Sequence, residues 1–158
     1  MAKRMIVKLG DALLRVKSKE VTVFDERLAQ LLDDMRETMI SDNGVGIAAV
    51  QVGVLKRACI VSQDGEEFFE FINPVVKKSS GVQTSCEGCL SVPGTNGEVD
   101  RPKKITVIAY DRKGNKFEFV ATGYLAIICC HEFDHMDGIL FIDKMKKDIE
   151  KPNKDKAE

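Results

Sequence analysis

The chain has 158 residues, 44% hydrophobic and 31% charged, which suits one soluble globular domain spanning residues 1–158 with a single core. A formal net charge of −1 supplies no basic field for DNA, and no apolar stretch approaches the ~18 residues of a membrane span. The start, MAKRMIVKLGDALLRVK, has no signal-like apolar run, and an odd set of five cysteines (Cys59, Cys86, Cys89, Cys129 and Cys130) reads as reduced cytoplasmic thiols rather than a disulfide framework.

In chain order, the first predicted element is a helix over Arg27–Ile40. Leu28, Leu31, Leu32, Met35 and Met39 recur there at helical spacing, and Asp25 is placed to cap it. Next comes Gly44-Val-Gly-Ile-Ala-Ala-Val-Gln51. It mimics a dinucleotide fingerprint, but it follows a helix and leads toward a strand, the reverse of what that fingerprint requires. Two readings stay open here: close backbone approach at Gly44 and Gly46 with Gln51 offering amide donors, or a tight turn of small packing residues. Strands are predicted over Ala58–Val61, Glu67–Ile72, Ile105–Tyr110 and Lys116–Val120. The last two flank a turn-rich Asp111–Asn115 and read as a hairpin. A second helix is predicted over Thr122–Asp137, with Thr122 as cap and Gly138 as stop. From Asp143 to Glu158 the chain is polar and lysine-rich, with Pro152, and reads as a frayed, solvated tail. The expected class is α+β.

The second helix carries His131-Glu132-Phe133-Asp134-His135, which holds both histidines of the chain. Positions i and i+4 share a helix face, so His131 and His135 can bind one metal, with Glu132 beside its open side to take a proton from water. The third ligand decides between readings. A metallopeptidase extension puts Gly138 on schedule but ends on Phe141, which cannot ligate, and a downstream carboxylate would have to be Glu150 among the 23 residues left after His135. Upstream, Cys89 in Glu87-Gly88-Cys89-Leu90-Ser91 would complete a Cys-His-His set with an open fourth position, a catalytic arrangement. A closed structural zinc site of Cys86, Cys89, His131 and His135 has acceptable ligand spacings. Its halves are 41 residues apart, however, and it has no use for Glu132.

The three segments GVGIAAVQ, EGCLS and HEFDH, in this order, together resemble the peptide deformylases. The similarity extends from Asp25 to Ile142 and includes Pro74 and Arg101-Pro102. Val50, Cys130 and the additional Cys86 depart from the family pattern. The two thiols put extra sulfur near the expected metal.

The resemblance implies antiparallel strands around a central metal-bearing helix. It also implies hydrolytic removal of the formyl group from the N-terminal methionine of newly made proteins, in bacterial protein biosynthesis. It implies Cys89, His131 and His135 as ligands of ferrous iron (Fe2+), for which zinc, nickel or cobalt can substitute. It makes Glu132 the proton carrier, and the Gln51 amide and the Leu90 N–H the oxyanion donors. Val45, Tyr124, Ile127 and Ile128 are then candidates for an apolar methionine pocket, or plain core. Backbone at Val45, Gly46 and Gly88 could hold an extended peptide. Glu87 is expected to pair with Arg101, and Asp134 to orient a ligating histidine. The tail lysines Lys144, Lys146, Lys147, Lys151, Lys154 and Lys156 are a candidate contact with the ribosome.

Overall fold

A computed structural model describes residues 2–146. Its first long element, α1 (Glu26–Ser41), buries Leu28, Leu31, Leu32, Met35 and Met39 along the predicted face. Asp25 caps it, accepting the Leu28 N–H at 3.1 Å. The helix also buries Asp34 and Thr38, which periodicity does not anticipate. The N-terminal arm accounts for both: Ala2 N and Arg4 Nε donate to Asp34, and Arg4 N donates to Thr38 Oγ1.

The chain then forms β1 (Gly46–Ala48), β2 (Ala58–Val61), β3 (Phe69–Ser80), β4 (Gln83–Cys89), β5 (Val92–Arg101), β6 (Lys104–Tyr110) and β7 (Lys116–Thr122). Five of these make one antiparallel sheet in the order β1-β2-β3-β6-β7, and β4 pairs with β5 in a separate hairpin. The second helix, α2, spans Gly123–Met136. The unbroken apolar run of β2 is explained by its position. Cys59 and Val61 pack into a core shared with α2, while Ala58 and Ile60 pack on the opposite side with the α1 leucines. A strand covered on both faces has no polar side to alternate with. Helix α2 is likewise apolar nearly all round because it is enclosed.

Three expectations need correction. β3 does not end at Ile72: Asn73, at φ 51°, and Pro74 sit where the β3–β6 register shifts. The bulge absorbs a residue pair that would stop a regular strand. Thr122 stands at the start of α2, but its side chain makes no capping hydrogen bond. The other end of α2 behaves as predicted. Gly138 N donates to His135 O and Ile139 N to Asp134 O, with Gly138 at φ +74°, a Schellman stop. The start of the expected frayed tail is pinned: Lys146 N donates to Glu98 O, and Lys144 and Lys146 pair with Asp134 and Asp100. The rest of that tail, including Glu150, Pro152 and the lysines at 147, 151, 154 and 156, lies outside the described residues.

The β4–β5 hairpin is not predicted from the sequence. β4 (QTSCEGC) contributes no buried apolar side chain, and β5 contains Pro93, Gly94 and Gly97. Both patterns mimic a loop.

Candidate active site

Four pieces of chain converge on one cleft. β4 presents Glu87, Gly88 and Cys89, and its turn to β5 holds Leu90 and Ser91. α2 presents Tyr124, Ile127, Ile128, His131 and Glu132, while the α1–β1 connection and a 3-10 turn at Ala49–Val52 bring Gly44, Val45, Gly46 and Gln51. The cleft encloses about 330 Å³. The expected ligands Cys89 and His131, the expected catalytic groups Glu132, Gln51 and Leu90 and the expected substrate-binding residues all line it, while the third expected ligand, His135, is fully buried beside Cys89.

Cys89, His131 and His135 each offer a ligand atom, and the three atoms lie within 4.8 Å of one another. Helical spacing brings the imidazoles together, with ring centroids 5.1 Å apart, and β4 delivers Cys89 Sγ to 3.3 Å from His135 Nε2. Cys86 does not join them. Along β4, Glu87 and Cys89 point inward, whereas Cys86 is three positions from Cys89 and exposed at the cleft rim. Side chains three apart on a strand face opposite ways, so the four-ligand structural site fails on parity. Cys130 is also not beside the ligands. It lies across α2 in a separate cavity with Pro102 and Phe133, and burial raises its thiol to about 11.

The histidines are held from behind. His131 Nδ1 lies 2.9 Å from Glu87 Oε1, which leaves its Nε2 for a metal. Arg101 grips Glu87 through Nε at 2.8 Å and Nη2 at 2.9 Å, and reaches Asp134 through Nη1 at 2.6 Å. The expected Glu87–Arg101 pair therefore exists, but it is buried rather than superficial. The expected role of Asp134 is corrected. Glu87 contacts the ligating imidazole, and Asp134 instead bonds Arg101 and Lys144.

Electrostatics favour a positive charge at this spot. Desolvation opposes a charged His131, but hydrogen bonds to Cys89 and Glu87 outweigh it and raise the ring to about 10. Desolvation, then the His131 charge, holds His135 well below its ordinary value, so its ring is neutral. Desolvation alone would raise Glu87, yet Arg101 and His131 bring it down to about 2. A soft thiolate, two imidazoles and a fixed carboxylate behind one of them fit a divalent metal, which takes the place of the imidazole proton.

Glu132 is buried against β1. A Cβ built on Gly46 would stand 2.5 Å from Glu132 Oε2, so only glycine lets the strand approach the carboxylate this closely. Its Oε1 has no hydrogen-bond partner among the described residues, and desolvation raises the acid to about 7. Gly44 is constrained similarly, since a Cβ there would meet Leu90 Cδ1 at 2.8 Å. The close-approach reading of the glycine loop is the one the packing supports. Gln51 Oε1 accepts from Ala48 N at 2.9 Å, which turns Nε2 toward Ser91 Oγ at 3.1 Å and Cys89 Sγ at 3.6 Å. Ser91 went without a role in the sequence reading. Its only signal was its place at the end of EGCLS. Ile127 and Ile128 line the cleft and are nearly buried, whereas Tyr124 and Val45 stand exposed at its mouth.

Known proteins resemble this chain in sequence and in fold. Residues 3–151 match the family model for polypeptide deformylase. The chain is 54% identical to a peptide deformylase of Caldicellulosiruptor bescii, over 92% of this chain and 87% of that one. It is 50% identical to one of Acetivibrio thermocellus, over 95% and 88%. The crystal structure of a peptide deformylase from Legionella pneumophila superposes with a TM-score of 0.89 at 40% identity, covering 99% and 98% of the two chains. That from Thermotoga maritima gives 0.90 at 36% identity, covering 93% and 100%.

Proposed function

The chain belongs to the polypeptide deformylase family, and on that premise we propose how its residues carry the reaction. The enzyme removes the formyl group from the N-terminal methionine of newly made proteins and releases formate. The peptidase and structural-zinc readings give way to this one. We take residues 1–158 as one catalytic domain, a reading supported by the span of the family match.

Cys89, His131 and His135 would hold the metal, a reading carried by one observation: their ligand atoms cluster within 4.8 Å at the floor of the cleft that also exposes Glu132. When bound, a divalent metal supplies the Lewis acidity that brings a water's pKa toward neutrality. We assign ferrous iron to the site on the family resemblance; the Cys-His-His donor set itself accepts zinc, nickel or cobalt as well.

Glu132 takes the proton of the attacking water and later hands it to the leaving amine. Buried against Gly46, it lines the same cleft as Cys89 and His131. As the formyl carbon becomes tetrahedral, the Gln51 Nε2 amide and the Leu90 N–H donate to the developing oxyanion. Ile127, Ile128, Tyr124 and Val45 receive the methionine side chain. The backbone at Val45 and at Gly46, where β1 begins, and the β4 backbone at Gly88 hold the peptide extended between the two sheets. Nascent formylated chains are the substrate, met in the cytoplasm, where the thiols stay reduced. Lys144 and Lys146 are already paired, so contact with the ribosome would fall to the lysines beyond residue 146.

The test is formate release from a formyl-Met-Ala-Ser peptide by protein prepared without oxygen and loaded with ferrous iron. Metal-dependent release is expected, and every peptide bond should stay intact. Cleavage within an unformylated peptide would overturn the assignment.

A further inference from the structure

Ser91 is fully buried in the β4–β5 turn. Its hydroxyl accepts one hydrogen of the Gln51 amide at 3.1 Å. With Gln51 Oε1 fixed by the Ala48 N–H, this bond sets the amide plane and directs the second Nε2 hydrogen to Cys89 Sγ, 3.6 Å away in the cleft. Consecutive residues of the N-terminal arm brace the same pieces from behind. Val7 N donates to Gln51 O at 2.7 Å and Leu9 N to Ser91 O at 2.7 Å, and Lys8 Nζ reaches Leu90 O at 3.3 Å. Through these bonds the arm reaches Gln51, Leu90 and Ser91. It is itself anchored on α1 through Ala2 and Arg4.

We propose that Ser91, braced by the N-terminal arm through Leu9, is a positioning residue for deformylation: it holds the Gln51 amide in the orientation that meets the oxyanion. This rests on the reading of Gln51 as an oxyanion donor. A glutamine side chain with a free terminal torsion donates in many directions. One with both ends tied donates in one, and preorganised donors stabilise developing charge without reorganising.

The experiment is a double-mutant cycle on the iron-loaded enzyme, reading kcat, KM and metal content for Ser91→Ala, Gln51→Ala and the pair. Ser91→Ala is expected to lower kcat about tenfold, less than outright loss of a donor. KM should stay within twofold and metal content at the wild-type level, and the drop should be absent in the Gln51→Ala background because both changes act through one group. Leu9→Pro, which removes the N–H on Ser91 O without touching residue 91, is expected to show a smaller drop of the same kind, and it carries the test if Ser91→Ala does not fold. Undiminished kcat in Ser91→Ala beside a falling Gln51→Ala would overturn the positioning role. So would a drop that persists in full without Gln51, or loss of the metal. Undiminished kcat in Gln51→Ala would instead remove the donor reading, and the proposal with it.

Discussion

In the five-stranded sheet, β2 buries all four of its side chains, and Phe71 packs edge-on against Phe119 and Phe133. In the neighbouring hairpin, the most deeply buried side chain of β4 is Glu87, and Arg101 at the end of β5 is buried with it. The sheet is held by apolar burial, which has no direction. The hairpin gains Val92 and Val99 beneath β5, but β4 is fixed by ion pairs and hydrogen bonds, which have direction. The difference follows from their tasks. A core needs volume filled, whereas Cys89, Glu87 and Leu90 must each point at one place.

The comparison is tested first where the hairpin meets α2, and the largest effects belong there. Glu132→Ala should cut turnover by about 10²–10⁴-fold, the usual worth of a positioned acid–base group, while metal content measured on the purified protein stays at the wild-type level. Turnover within a few-fold of wild type would take Glu132 out of the reaction. Cys89→Ser should lose the metal or the activity and Cys86→Ser should keep both, since only Cys89 faces inward. Equal metal loss in the two variants would break the strand-parity argument.

The next pair separates the two kinds of structure directly. Phe71→Ala should destabilise by about 3–5 kcal/mol in chemical denaturation, as large core truncations do, with kcat per folded molecule unchanged. Arg101→Leu should destabilise by a similar 3–5 kcal/mol because Glu87 is left buried without its partner. It should also weaken metal binding by about 10–100-fold, since Glu87 no longer holds the His131 ring. If Arg101→Leu altered stability alone, the Glu87–Arg101 pair would be a structural staple and not a support for the ligand.

The same contrast explains what the sequence could show. Leu28 to Met39, Ala58–Val61 and Ile105–Tyr110 announce themselves because burial imposes a period on residue type. HEFDH is legible for a related reason: helical spacing alone puts His131 and His135 on one face. β4 and β5 stay hidden because their inward positions carry Glu87, Cys89 and Arg101 in place of an apolar alternation. Glu87 rather than Asp134 at His131, and Ser91 at Gln51, depend on how the β4 turn docks against the 3-10 turn at Ala49–Val52 and against α2. Such contacts join positions about 40 residues apart and leave no local pattern. The N-terminal arm escaped for the same reason, as its bonds to Gln51 and Ser91 run through backbone groups and Arg4 meets Asp34 across 30 residues.

The smallest effect lies at the far end of the apolar half. Asp25 accepts the Leu28 N–H at the start of α1, remote from the cleft lining. Asp25→Ala removes that cap and should cost about 1 kcal/mol, read as a fall in Tm of about 2–4 °C for a chain of this size. Asp25→Asn, which keeps the acceptor, should recover most of it. Because Asp25 sits at the opposite end of α1 from Met39, the residue that packs beside Gly44, kcat and KM below the melting transition should not move. A cap change that lowered kcat without lowering Tm would mean that α1 sets the geometry of the glycine loop, and the division between a half held by burial and a half held by directed bonds would then run through α1 instead of around the hairpin.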